Sequence, residues 1–147
     1  YLLSTSTTKA GANTNRDINI NIASSYINGK ILQPNEKFSF WDTVGKCTYD
    51  KGYKDATVYS NGKKTKGIGG GVCQVSTTVN MAVKSAGIKT NARQHSLPVS
   101  YASREDEATV SFGNIDFKFT NTTGKTIMLV MGAVDGSCTC EVWAKYE

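Results

Sequence analysis

The chain has 147 residues, 39% of them hydrophobic and 20% charged, with a net charge of +5; that is enough for one domain with its own core and short for two. No run of about 18 apolar residues occurs, which excludes a membrane-spanning helix. The basic balance comes mostly from Lys, with Arg16, Arg93 and Arg104 the only arginines, and no nucleic-acid motif accompanies it, so nucleic acid is not the expected partner.

No signal peptide is visible, because Tyr1-Leu2-Leu3 is followed at once by polar residues. The missing initiator Met suggests a fragment or processed chain whose targeting segment lies outside it. Residues 2–8 read as a strand and residues 11–15 as a polar turn. Asp17 is a plausible N-cap for a helix carrying Ile20, Ala23 and Ile27 and ending near Asn28-Gly29, although Ile18, Ile20 and Ile22 also alternate as a strand would. Pro34-Asn35 marks a turn, and residues 38–41 a short aromatic strand or buried loop. Residues 47–66 read as irregular, with Asn61-Gly62 as a hairpin signal. Lys63, Lys64 and Lys66 close that stretch, as a solvated basic loop or as an attractor for an anionic polymer or carboxylate-rich substrate.

Next come Val72, Val75, Val79, Ala82, Val83 and Ala86, three or four apart, and then Gly87: one apolar helical face with its stop. From there the pattern turns to period two. Residues 90–97, 108–112, 115–120, 126–133 and 137–146 read as strands, with turns at Asn121-Thr122-Thr123-Gly124 and Asp135-Gly136. Helices first and strands afterwards predict a single α+β domain over residues 1–147. Its antiparallel sheet meander packs on a central helix bearing Cys73 at its N-terminus.

Cys73 joins the loop Gly67-Ile68-Gly69-Gly70-Gly71 to that helix. Unpaired N–H groups and the positive end of the helix dipole favour a thiolate there and can also stabilise an oxyanion. The glycines do not form a phosphate loop, since the lysines precede them and no Gly-Lys-Ser/Thr ending follows. Close approach of an extended peptide substrate to the backbone, Gly71 above all, explains them better. His95, the one histidine, is the candidate general base. A nucleophile on a helix N-terminus and a base on a following strand is, by analogy, the layout of papain-like enzymes. Asp116 is the expected orienting residue for the imidazole, ahead of Asn114 and Ser111. The backbone N–H of Gln74 is a candidate oxyanion donor, Arg93 a candidate clamp for a substrate carboxylate, and Ser96 a further substrate contact beside His95. Trp41, Tyr53 and Tyr59 are candidates to line the cleft, and Ser76 to cap the helix. The plainer alternatives are a packing Cys73, a satisfied His95 and an exposed Asp116 paired with Lys118. With Cys73 set aside, Cys47 has Cys138 or Cys140 as possible disulfide partners, and neither a metal nor an organic cofactor is called for.

The run Gly67-Ile68-Gly69-Gly70-Gly71-Val72-Cys73-Gln74-Val75-Ser76-Thr77-Thr78 strongly resembles the signature of the VanW-like domain family. So do His95-Ser96-Leu97-Pro98-Val99-Ser100-Tyr101, Asp116-Phe117-Lys118-Phe119 with Asn121-Thr122-Thr123-Gly124, and, upstream, Asn15-Arg16 with Asn19-Ile20, Pro34-Asn35-Glu36-Lys37-Phe38-Ser39-Phe40 and Gly52-Tyr53. The resemblance covers nearly the whole chain. It implies an envelope protein of a Gram-positive bacterium, extracellular, whose partners are peptidoglycan peptide stems and which makes no membrane contact through this domain. It implies a cysteine L,D-transpeptidase that forms 3-3 cross-links, with Cys73 as nucleophile and His95 as base. An L,D-carboxypeptidase or endopeptidase and a non-catalytic wall-binding module linked to glycopeptide resistance are the alternatives. The chain departs from the family pattern after the His motif. Where members carry Pro-Gly-Arg-Asp-Ala-Thr-Val, it reads Arg104-Glu105-Asp106-Glu107-Ala108-Thr109-Val110, displacing the basic residue and adding two acids.

Overall fold

The computed structural model describes the chain apart from Ala12, Asn61 and Glu147 and the side chains of Tyr59 and Ser60. Its largest element is a four-stranded antiparallel sheet built from the two ends of the chain. The strands are β1 (Leu2–Lys9), β2 (Lys30–Leu32), β7 (Ile127–Val134) and β8 (Ser137–Ala144), in the order β1-β8-β7-β2. The β7–β8 hairpin turns at Asp135 and Gly136, both with positive φ (43° and 83°), the backbone a two-residue hairpin demands. Period-two alternation puts Cys138, Cys140, Val142 and Ala144 of β8 in the core beside Ile127, Leu129 and Met131 of β7.

Two helices cover that buried face. Helix α1 (Thr14–Ile27) lies against β7, and α3 (Val72–Ser85) against β1 and β8. Asn13, not Asp17, is the N-cap of α1, its side chain accepting from the Arg16 N–H at 3.0 Å. Asp17 sits inside the first turn, where a negative charge suits the helix dipole. Helix α3 follows its apolar spacing, but it is buried almost all round, with Gln74, Ser76, Thr77, Thr78 and Asn80 enclosed as well.

Two smaller two-stranded sheets complete the fold. The expected irregular stretch contains strands β4 (Asp55–Ser60) and β5 (Lys63–Ile68), paired antiparallel; Asn61 of the predicted turn and the side chain of Tyr59 lie outside the described residues. The aromatic run splits into β3 (Lys37–Ser39) and a short helix α2 (Phe40–Val44), with β3 paired to β6 (Lys118–Thr120). The chain is therefore α+β with antiparallel sheets, but the expected meander holds only for β7 and β8. Residues 90–97 and 108–112 form no strand: the first stretch has only the Thr90–Phe119 bridge, and pairing at the second is limited to the Ser111–Ile115 bridge. The run from Asn121 to Gly124 is not a hairpin turn, because it joins β6 and β7, which belong to different sheets. The Asn121 amide, wholly buried, fixes that crossing by donating to the carbonyls of Leu32, Gln33 and Lys125.

All four cysteines are free thiols, so the contemplated bridge from Cys47 to Cys138 or Cys140 is not formed. Cys47 lies against Gly69, whereas Cys138 and Cys140 fill the core face of β8. Among the described residues, no helix is long and apolar enough to cross a membrane.

Candidate functional site

The segment that reads as a strand from residue 108 is instead fastened along α3 by side chains spaced one helical turn apart. Asn80 donates to the Asp106 carbonyl at 2.9 Å, and the Thr77 hydroxyl accepts from the Ala108 N–H at 3.0 Å. Ser76 donates to the Ala108 carbonyl at 2.5 Å. Cys73, next along the same face, meets both backbone groups of Val110 at 3.5 Å and the Thr109 hydroxyl at 3.8 Å. Residues 73, 76, 77 and 80 share one helical face by their spacing, so the buried polar groups of α3 hold a length of chain that no sheet holds.

Cys73 is the second residue of α3, after Gly71, which caps the helix with φ 109°. Any larger residue at Gly71 would collide with Arg16, and a methyl group at Gly70 would stand 2.6 Å from backbone atoms of Ala56 and Thr57. The glycine loop is thus packed backbone to backbone against β4. Burial pushes the Cys73 thiol above its ordinary range, while the Val110 backbone, the Thr109 hydroxyl and the Arg16 charge pull the other way. Desolvation is the largest of these influences, so the resting sulfur is a thiol rather than a thiolate.

His95 is 3% exposed. Its Nδ1 lies 2.7 Å from Glu107 Oε1, and its backbone N–H donates to the same oxygen at 2.8 Å. That carboxylate is itself wholly buried and is approached by Arg104 at 3.3 Å. A carboxylate on Nδ1 selects the tautomer with its proton there and leaves Nε2 as the basic nitrogen. Tyr101 places its hydroxyl 3.4 Å from Nε2. Burial lowers the pKa of His95 below its ordinary value, and Glu107 opposes the shift without reversing it. The base therefore rests neutral.

Glu107, not Asp116, is the acid set against the imidazole. Asp116 accepts from the Ser39 hydroxyl in a very short contact and from the Trp41 N–H at 3.1 Å, tying β3 and α2 to the stretch before β6. Trp41 continues that tie through its indole N–H to the Ile115 carbonyl, and Tyr53 is a core residue. Gln74 turns inward, its amide donating to Thr8 Oγ1 and the Gly136 carbonyl, and its backbone N–H is given to the Gly71 carbonyl at 3.0 Å. That N–H is thus engaged in this state. Arg93 and Ser96 are both exposed; the Arg93 carbonyl accepts from the Thr109 N–H at 2.9 Å, but neither side chain makes a fixed contact with Cys73. Ser76 does not cap the helix; its hydroxyl donates to the Cys73 and Ala108 carbonyls.

The Asp106–Val110 segment thus carries the carboxylate that orients His95 at one end and the backbone groups that meet Cys73 at the other. Sγ and the imidazole are not hydrogen-bonded to each other in this state. A neutral thiol, a neutral imidazole with Nε2 as its basic nitrogen and a buried orienting carboxylate form a set suited to nucleophilic catalysis with general-base assistance.

Comparison with known proteins fits the glycine–cysteine signature. A family model described as "VanW like protein" matches residues 15–143. The chain is 39% identical over 127 residues to "Uncharacterized protein YoaR" of Bacillus subtilis (strain 168), covering 86% of this chain and 42% of that protein. It is 30% identical over 142 residues to "Vancomycin B-type resistance protein VanW" of Enterococcus faecalis (strain ATCC 700802 / V583), covering 90% of this chain and 46% of that protein. The chain thus spans less than half the length of both relatives. No solved structure matches it.

Proposed function

The chain belongs to the VanW-like family, and from that membership and the Cys73 site we propose that it is a peptidoglycan L,D-transpeptidase working through a Cys73 thioester. The observation that carries the reading is the imidazole of the one histidine, held through Nδ1 by buried Glu107 on the segment that also walls Cys73. A packing cysteine and a filler histidine need no such carboxylate. The vancomycin-resistance name of one relative fits a substrate in the cell wall, and an extracellular place in a Gram-positive envelope follows from that substrate.

In the proposed reaction His95 Nε2 takes the thiol proton as Sγ bonds to the carbonyl carbon of the penultimate stem residue. The N-terminal turn of α3 faces the developing oxyanion. The imidazolium returns its proton to the leaving amine as the bond to terminal D-Ala breaks, and a thioester remains. An amine of a neighbouring stem then attacks that carbonyl, gives up its proton through His95, and expels the Cys73 thiol. Glu107 steadies the imidazolium at each stage by accepting from Nδ1–H. Tyr101 must yield its place at Nε2, and the thiol its bonds to Val110, as substrate enters; catalytic hydrogen bonds often tighten only with substrate bound. By analogy alone, this is the division of labour of papain-like enzymes.

The direct test is incubation of purified muropeptide tetrapeptides with wild-type protein and with Cys73→Ala. The reading expects 3-3 cross-linked dimers with wild type and none with the variant at unchanged fold. Released D-Ala without dimers would assign the carboxypeptidase reaction instead, and identical products from both proteins would remove Cys73 from the chemistry.

A further inference from the structure

The acyl-transfer steps leave Arg16 unused, although it stands inside the site. Arg16 is in the first turn of α1 and reaches across to α3, where an ideal Cβ on Gly71 would lie 2.8 Å from its Cγ. Its guanidinium carbon is 5.5 Å from the centre of the Tyr101 ring, whose hydroxyl meets His95 Nε2. The cation is therefore wedged between the cap of the nucleophile's helix and the tyrosine beside the base. Its charge is felt at Cys73, where it favours the thiolate.

Among the described residues this cation has no counter-ion. No carboxylate pairs with it, and Nη1 is cut off from solvent without any hydrogen-bond partner. The adjacent Asp17 also leaves its buried Oδ1 without a partner rather than bonding the guanidinium. A guanidinium so placed is costly unless an anion completes it, and buried polar groups left unpaired point to a missing partner. The side chain as a whole is only half-buried, so part of the fork remains open to a ligand.

We propose that Arg16, stacked on Tyr101, is a carboxylate subsite that receives the free C-terminal carboxylate of the peptide whose penultimate carbonyl is attacked by Cys73. This rests on the acyl-transfer reading of Cys73 and adds the rule by which substrate is selected. Arg16 passes Gly71, two residues before the nucleophile. A peptide with its scissile carbonyl at Sγ carries its next backbone carbonyl about 3.5 Å further along, towards Arg16. If the peptide ends there, that carbonyl is a carboxylate and the cation is neutralised in a bidentate pair. If the chain continues, it is a neutral amide and the cation stays uncompensated. The site thus selects stems one residue longer than the bond it breaks.

The test is calorimetric titration of Cys73→Ala protein with the tetrapeptide stem and with the same stem ending in a carboxamide. The acid should bind about ten- to a hundredfold more tightly, the span of a hydrogen bond to a charged group. The preference should collapse in Cys73→Ala/Arg16→Gln and return in part in Cys73→Ala/Arg16→Lys, which keeps the charge but not the fork. Equal binding of acid and amide, no measurable binding of the acid, or a preference that survives Arg16→Gln overturns the proposal. Should Arg16→Gln fail to fold, the acid–amide comparison in protein that retains Arg16 still decides. Failure of the acyl-transfer reading shows separately, as the absence of any Cys73 adduct in wild type, because binding to Cys73→Ala needs no turnover.

Discussion

Replacing Glu107 by Gln separates an orienting carboxylate from a merely buried one. Glu107 Oε1 serves both the His95 N–H, at 2.8 Å, and Nδ1, at 2.7 Å, while the Arg104 side chain that meets Oε2 is 41% exposed. The Arg104 contact is accordingly worth little, and the effect falls on His95. A hydrogen bond to a charged group contributes about 1.5–3 kcal/mol, against about 1 kcal/mol for a neutral pair. The amide therefore withdraws about 1–2 kcal/mol from the imidazolium that forms as the thiol gives up its proton. At about 1.4 kcal/mol per decade, acylation slows by about five- to thirtyfold, and by more if the amide NH2 turns towards Nδ1 and imposes the other tautomer. Single-turnover thioester formation, followed by intact mass on folded Glu107→Gln protein, reads this directly. A wild-type rate in Glu107→Gln together with a slow Asp116→Asn would refute the assignment and restore Asp116 as the orienting residue.

Further expectations follow from the same geometry. Asp116→Ala removes the acceptor for Ser39 and the Trp41 N–H; urea denaturation should show about 1–3 kcal/mol lost, with thioester formation within about twofold of wild type. Gly70→Ala forces a methyl group to 2.6 Å from backbone atoms of Ala56 and Thr57 and should cost about 1–3 kcal/mol as an overpacking change; an unchanged denaturation midpoint would contradict the close packing. Burial holds the Cys73 thiol above the ordinary value of 9.0, so its alkylation by iodoacetamide should rise with pH through a midpoint above that value, and a midpoint below about pH 7 would contradict a resting thiol. His95 acts only when neutral, and its pKa lies below the ordinary 6.5. The acid limb of the acylation rate should therefore have its midpoint below pH 6.5; a limb above about pH 7 would show a protonated resting imidazole.

Much of this architecture is legible in the sequence because it is set by local periodicity. The valines of α3, the Asp135-Gly136 turn and the alternation of β7 and β8 each act within a few residues. Cys73 on the first turn of α3 follows from where the glycines end and the apolar spacing begins. The errors arise where distant segments decide. Residues 108–112 alternate like a strand, yet the backbone partners of Ala108 and Val110 are the side chains of Cys73, Ser76 and Thr77, and no period within the segment reveals that. Glu107 ends a run of three acids that nothing local tells apart, and only its burial beside His95 distinguishes the last of them. Its one signal is the position before Ala108-Thr109-Val110, where the family pattern also carries an acid. In sequence Arg93, close to His95, is the arginine that stands out as a carboxylate clamp, and nothing local marks Arg16 for that role. The fold leaves the first exposed, tied to Thr109 only by its backbone carbonyl, and draws the second across Gly71 to Tyr101.

The central claim is that Cys73 carries an acyl group from a peptide stem. Intact mass of the protein after incubation with a tetrapeptide stem, followed by peptide mapping, measures it directly. The account predicts a mass gain equal to the stem less its terminal D-Ala, carried on Cys73, absent in Cys73→Ala and unaffected in Cys47→Ala. Turnover of the stem by wild type with no acyl adduct on Cys73, or an adduct that maps to Cys47, would contradict it.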